Sequence, residues 1–450
     1  MTSRNSILGT AGGRRPIAFC LAILLATTFL HTGSAMAADY AAGGGVNNAP
    51  SGFATAVGPS ATTQGIFAAA YGYSASASGN TAVAIGGLSN ATGDNATAIG
   101  IGTTATGLSA SAFGDNSTAT GAGATAAGTH SNAIGDNAAA FGGNAFASGL
   151  NATATGASSL ASGASATATG AGASAVGNNA TATGASSFAN GDTATATGQN
   201  SRASGQYATA TGANSFANGG AASAYGQGSI ATGTRATAIG ETSTATGSFA
   251  TALGSNAIAT GNTSTAVGTF SNANGEGTTS VGTSSNATGI NATALGAGAA
   301  ASAANSVAIG AGSVATAANT VSFGTAGNER RLTNVAAGVN PTDAVNMSQL
   351  SGITSGFQSQ IGSLQAQIGN NLTEARRGIA AAVAAANAPM PSAPGKTTWQ
   401  VRGSTFHGEG GFGVGFAHRL NTAMPFTVVG GYGNGGGTEH TAYLGVGGEF

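Results

Sequence analysis

Catalysis would need a histidine placed beside a carboxylate or serine, or ligands spaced to hold a metal. Beyond the first 37 residues the histidines are His130, His407, His418 and His440, and no two have metal-ligand spacing. Serine is abundant, but no Gly-x-Ser-x-Gly stretch lies in a strand-to-helix context with a placed His and Asp. Glycine is plentiful too, yet no lysine follows it as in a phosphate loop, the only lysine being Lys396. Calcium-binding repeats pair periodic glycine with periodic aspartate. Residues 57–328 hold only Asp94, Asp115, Asp136, Asp192, Glu241 and Glu276 as acids. The sequence therefore predicts no enzyme, no metal and no cofactor. Asn90-Ala91-Thr92, Asn95-Ala96-Thr97 and Asn151-Ala152-Thr153 match a glycosylation acceptor. Asparagine also tolerates the left-handed turn conformation, which explains its recurrence better.

What remains is surface and architecture. Twelve basic and 13 acidic residues, about 6% of 450, give no electrostatic footprint for nucleic acid. With 41% apolar residues, the chain is not a polyelectrolyte-type disordered protein, and 6% aromatics are too few for an ordinary globular core of this length. Arg14 and Arg15 precede an apolar run from Ile17 to Leu30, and Ala35-Met36-Ala37 supplies small residues before a cleavage point ahead of Ala38. This is a secretory signal, residues 1–37, too short for a comfortable membrane span. It contains the only cysteine, Cys20, so the exported chain has no disulfide.

Glycine works as a ruler. From Gly58 to Gly296, 35 consecutive glycines stand seven apart; Ala303 and Ala317 interrupt the series, and Gly310 and Gly324 resume it. Glycine costs ~1 kcal/mol in a helix relative to alanine, and the residues between alternate, as in Asn95-Ala96-Thr97-Ala98-Ile99-Gly100. Each heptad is a short strand plus a turn. Bulk recurs at 14, before every second glycine: Ile85, Ile99, Phe113, Ile239, Leu253, Val267, Val281, Leu295, Ile309 and Phe323. A mainly β chain of stacked 14-residue coils follows, with those residues expected as its core. From Thr155 to Thr211 that position is threonine, and bulk moves partly to Leu160, Phe188 and Phe216 in the other strand. One threonine of each Thr-Ala-Thr is expected to point inward. A lone coil encloses little core, so two or three chains side by side are expected.

Beyond the repeats the period changes. Leu350, Ile353, Phe357, Ile361, Leu364, Ile368, Leu372, Ala375, Ile379 and Ala382 form a helical seam, ended by Pro389, Pro391 and Pro394. Residues 397–450 then alternate in four segments; in the last, Leu444, Val446, Gly448 and Phe450 share one face, Thr441, Tyr443 and Glu449 the other. Strands of ~10 residues with an apolar outer face suit a transmembrane β-barrel. Four strands cannot close, and an open edge cannot sit in lipid, so three chains supplying 12 strands are required.

Glu329-Arg330-Arg331-Leu332-Thr333-Asn334-Val335-Ala336-Ala337-Gly338, followed by Thr342-Asp343-Ala344-Val345-Asn346-Met347-Ser348-Gln349-Leu350, resembles the neck of trimeric autotransporter adhesins of the YadA type. The resemblance implies a trimeric left-handed parallel β-roll head (57–328, after a lead-in at 38–56) and a neck (329–350). It further implies a short trimeric coiled-coil stalk (351–388), a linker (389–396) and a 12-stranded outer-membrane anchor (397–450). Within the anchor, Gly403 matches the small first-strand glycine that in the family lets the passenger chains through the pore, Phe450 matches the final aromatic, and Arg402 departs from the family's usual small residue. Asn305-Ser306-Val307-Ala308-Ile309-Gly310-Ala311-Gly312-Ser313 matches, once, the pattern associated in the family with collagen binding, although Val307 and Ile309 are also what an inward-packing coil would carry. The implied protein is a homotrimeric surface adhesin, inserted by the barrel-assembly machinery, exporting its own head and attaching to matrix proteins such as collagen and to other cells. Alternatives are an ice- or solid-surface-binding solenoid displaying Thr-Ala-Thr, or a non-specific structural fibre.

Overall fold

The computed structural model describes residues 39–50 and 53–449. The signal segment with Ala35, Ala37 and Ala38, and the terminal Phe450, lie outside the described residues. The chain divides after Arg330 into two compact units.

The first unit is a parallel solenoid. Three-residue strands such as Thr97–Ile99 alternate with two-residue strands such as Thr104–Ala105. Each pairs with its counterpart one coil on, Thr97 with Ser111 and Thr104 with Thr118, so a coil is 14 residues. The longer strands form one 21-stranded sheet and the shorter ones a second ladder. The stack starts at Tyr40–Ala42, which pairs with Thr55–Val57, so it includes residues the sequence reads as a lead-in. About 20 steps of ~4.8 Å make a rod of roughly 95 Å.

The glycine ruler has two physical causes. Gly100 and its equivalents 14 apart adopt positive φ (+139° at Gly100), which L side chains rarely adopt. Gly107 and the intervening set have no such φ, but a Cβ on Gly107 would run into the carbonyl of Gly121 in the next coil. Ala303 and Ala317 belong to this second set and fall where the stack ends. Two residues after each glycine the backbone is left-handed again, and Asn95 (φ 58°) and Asn151 (φ 56°) sit there as turn residues, whereas Asn90 lies in a strand.

The interior corrects the expected core. From Thr55–Val57 onward each three-residue strand buries only its central residue: Ala98 is buried, while Thr97 and Ile99 are not. The coil is lined by alanine, with serine and threonine at its corners; Ser117 Oγ donates to the Gly114 carbonyl (2.8 Å), and others repeat the bond. Ile85, Ile99, Phe113, Ile239, Leu253, Val267, Val281, Leu295 and Ile309 stand on the outer face of the longer-stranded sheet. Phe113 is 38% and Leu295 45% exposed. Phe323, after the last strand, is also not buried. The cause is period two: the residues flanking an inward alanine must face outward, and a lumen between such short strands admits nothing larger. For the same reason Val307 faces outward, and so do both threonines of each Thr-Ala-Thr.

The second unit begins with a loop that leads into helix α1, Met347–Ala384. Four antiparallel strands follow in meander order: β1 Thr397–Phe406, β2 Glu409–Arg419, β3 Phe426–Asn434 and β4 His440–Gly448. Leu350, Phe357, Ile361 and Leu364 form an exposed apolar seam on α1, while Ala380, Ala381 and Ala384 are buried against the sheet.

Candidate functional site

Among the described residues no group of three or more His, Cys, Asp or Glu converges on a point. No described helix is long and apolar enough to cross a membrane.

The loop before α1 is held by side chains that the sequence analysis placed in the neck. Asn346 caps α1, accepting from the Gln349 N–H (3.0 Å), while the Gln349 side chain accepts from the Asn346 N–H (3.3 Å), a reciprocal capping box. The Gln349 amide also clamps Gly338, accepting from its N–H and donating to its carbonyl, both at 2.9 Å. Asn346 Nδ2 donates to the Val335 carbonyl (3.2 Å), and Asn334 takes a left-handed φ of 62°. Ala344 backs onto Gly338, where a Cβ would meet the Ala344 carbonyl. Arg331, Leu332, Val345 and Leu350 are exposed. Replacing Gln349 with alanine removes bonds to both segments; we expect a loss of about 1 kcal/mol or more, read as earlier melting of α1 by circular dichroism.

Asp343 Oδ2 accepts from the N–H groups of Asn340 (2.8 Å) and Val339 (2.9 Å). Those backbone bonds, Asn340 first, lower its pKa below the usual carboxylate value. A depressed folded pKa means stabilisation is complete above the unfolded value, about 3.9, and lost as pH falls through the folded one. We expect amide protection at Val339 and Asn340 to fall below about pH 4, and this pH dependence to vanish in Asp343→Asn.

The four-stranded sheet separates its faces by alternation. Outward stand Trp399, Val401, Phe412, Val414, Phe416, Tyr432, Leu444 and Val446, an exposed apolar band. Inward, toward α1, lies a stripe of glycines that the sequence analysis did not single out. A Cβ on Gly411, Gly413, Gly433 or Gly435 would run into a backbone carbonyl of α1, that of Ala380, Ala384, Ala381 or Arg377 respectively. Glycine every second residue from Gly411 to Gly415 was its available signal. Gly403 is on the other face. It pairs with outward Phe412, and nothing of α1 lies near it, whereas Ser404 beside it donates to the Ala380 carbonyl. Gly403 therefore does not line the helix-bearing face; alternation places Arg402, not Gly403, on that side. Arg377 Nε pairs with Glu409 Oε2 at 2.9 Å, the one ion pair among the described residues.

On the solenoid, the collagen-type pattern proves largely architectural. Asn305 is a left-handed turn residue whose amide donates to Asn319 one coil on (2.9 Å). Ser306 and Ser313 are buried, Ser306 Oγ donating to the Ala303 carbonyl (2.7 Å), and Ala308 is buried. Gly310 has positive φ (+104°); Val307 and Ile309 stand half-buried on the outer face, and Asn305 and Ala311 are exposed at the turns. Acidic residues also serve the stack: Asp94, Asp136 and Asp192 each accept from a backbone N–H 14 residues earlier. The two arginines of the repeats lie on rings instead. Arg202 sits over Phe188 (5.1 Å) and Phe216 (5.9 Å), and Arg235 over Phe249 (5.6 Å). Arg330 closes the last coil, donating to Ser313 Oγ and the Phe323 carbonyl (both 2.7 Å) and to the Ala311 carbonyl.

A parallel solenoid ruled by glycine, a capped helix with an exposed apolar seam, and a four-stranded sheet with an apolar outer band define a repeat-bearing, non-globular class of protein. Comparison with known families agrees. The YadA head domain repeat matches ten stretches, some of them overlapping, within residues 77–159 and 189–326, and the coiled stalk of trimeric autotransporter adhesin matches residues 331–373. The chain belongs to the YadA-like trimeric autotransporter adhesins. It is 37% identical over 87 residues to the autotransporter adhesin NhhA of Neisseria meningitidis serogroup B. That match spans 19% of this chain and 14% of the relative. Among solved structures it is similar to the collagen-binding domain of the Yersinia adhesin YadA, with 28% identity, 44% of this chain and 84% of that one covered, and a TM-score of 0.24.

Proposed function

We propose that this protein is an exported, outer-membrane-anchored homotrimeric adhesin, non-enzymatic, that attaches cells to matrix or cell surfaces and to one another through its rod. Residues 1–37 direct export. Residues 397–450 of three copies, inserted by the barrel-assembly machinery, close one 12-stranded barrel. The stalk at 351–388 and the linker at 389–396 join it to the neck at 329–350, and the head up to 328 stands outside the cell. The observation that carries this reading is the sheet's division into an apolar outer band and a glycine stripe fitted to α1. A four-stranded sheet with free edges is unstable in lipid, and three copies remove every edge.

Adhesion follows from display. The rod offers a long, nearly uncharged surface in three copies, so weak contacts multiply by avidity. The collagen-type pattern supports matrix proteins as partners through the side chains it presents, Asn305, Val307, Ile309 and Ala311, since Ser306, Ala308 and Ser313 are buried. The test is deletion of residues 57–324 with the neck and anchor retained. Attachment to immobilised matrix proteins and autoagglutination should both drop to the level of cells lacking the protein. Unchanged attachment and clumping would contradict the proposal.

A further inference from the structure

Residues 57–328 hold two basic side chains, Arg202 and Arg235. The fold makes little use of the first. Arg330, which closes the stack, spends its terminal nitrogens on Ser313 and on backbone carbonyls. Among the described residues Arg202 makes a single hydrogen bond, from Nε to Ser204 Oγ (3.3 Å), and has no carboxylate within ion-pair distance. It is exposed on the outer face of the shorter-stranded ladder, beside buried Ala203. Phe188 one coil before and Phe216 one coil after stand in register with it, their ring centroids 5.1 and 5.9 Å from its guanidinium carbon.

Two rings holding one guanidinium limit where its free N–H groups point, so little freedom is lost when a ligand arrives. Beside the clasp lies a pocket of about 300 Å³, lined by Ser186, Phe188, Asn200, Ser201 and Arg202. Ser201 is buried and its hydroxyl donates to the Gly198 carbonyl (2.9 Å), so it supplies wall rather than contacts. Ser186 (φ 54°) and Asn200 (φ 53°) are turn residues at the rim, and the Asn200 amide donates only a long bond to Asn214 (3.4 Å). The pocket therefore offers one fixed cation, neutral hydroxyl and amide groups, and a phenyl wall. A sugar bearing an acidic group presents the complement of each: an anion, hydroxyls and an apolar C–H surface. We propose that this pocket binds an acidic saccharide, its carboxylate or sulfate on the terminal nitrogens of Arg202, its hydroxyls on Asn200 and Ser186, and its C–H surface against Phe188. The inference deepens the adhesin reading and rests on it, since the ligand must meet the rod outside the cell. A nucleic acid fits worse, because its binding draws on about six to ten phosphate contacts, and the rod has two cations to offer.

The full chain, extracted from outer membranes in mild detergent, is offered immobilised tetrasaccharides: one containing uronate without sulfate, one sulfated and one neutral, with single-stranded DNA alongside. It should hold one acidic probe about tenfold more tightly than the neutral one, and the stronger of the two acidic probes tells whether a carboxylate or a sulfate is read. Arg202→Gln should weaken that probe about tenfold with unchanged melting by circular dichroism. Arg235→Gln, which removes the same charge from beside Phe249, should leave it nearly unchanged. Ser186→Phe fills the pocket with the guanidinium kept, and should weaken the probe as Arg202→Gln does; Phe270, at the equivalent turn position, shows that an aromatic residue is accommodated there (φ 57°). Retention of neither acidic probe, equal losses in the two arginine variants, full binding by Ser186→Phe, or equal retention of the DNA would overturn the proposal. Cells that attach and clump although neither acidic probe is held would overturn this inference alone. Attachment unaffected by deletion of residues 57–324 would instead defeat the adhesin reading on which it rests.

Discussion

Replacing Ala98 with leucine should break the rod at that coil, whereas the same replacement at Thr97, one residue earlier, should leave it standing. Ala98 points into a lumen walled above and below by Ala84 and Ala112, all fully buried. Overpacking a well-fitted core costs about 1–3 kcal/mol, more where neighbours cannot shrink, and no wall residue here is large enough to be trimmed by a rotamer change. Thr97 faces outward, where leucine needs no interior space. Because each coil touches only its neighbours, the damage should stay local and divide the rod into two segments that melt separately. Hydrogen exchange would show this as lost protection confined to coils around residues 84–112 in Ala98→Leu and near-native protection in Thr97→Leu.

Gly433→Val should abolish heat-resistant assembly, and Gly403→Val should not. At Gly433 a Cβ would collide with the Ala381 carbonyl and crowd the Ala385 methyl, so α1 cannot seat on β3. Backbone has no rotamer through which to yield, and the strand or the helix must move. Gly403 meets no atom closer than ordinary contact and shares its face with Trp399, Val401 and Phe412. Valine there only extends the apolar band, which is favourable against lipid. Gels of unheated membranes, comparing the trimer band of the two variants, report the difference directly.

These two contrasts mark where the sequence was legible and where it was not. Spacing alone revealed the coil, because Gly100 and Gly107 are each forced by backbone geometry that no other residue meets as well. Alternation within each heptad revealed strands. What alternation cannot supply is its own phase: Thr97, Ala98 and Ile99 define two faces without saying which is inside. The general rule that bulky apolar residues go inward points to Ile99, and it fails because strands this short enclose room only for alanine. The same ambiguity of phase displaced Gly403. Its likeness to a family position is one of pattern alone; the strand turns that residue outward, and the glycines that accept α1 lie on β2 and on β3 with the residue after it. The helix was easier to read, since a 3–4 seam defines its own apolar face, whereas the neck was read from its resemblance and not from the capping box of Asn346 and Gln349. The pairing of Arg377 with Glu409 joins residues 32 apart in sequence, and no local pattern announces it.

The central claim is that three copies complete one barrel. The direct measurement is the mass of the full chain extracted from outer membranes in mild detergent, by light scattering, alongside gels run with and without heating. We expect one species of three chain masses that survives in unheated denaturant and collapses to single chains only on strong heating. A protein of one chain mass inserted in the membrane would contradict it.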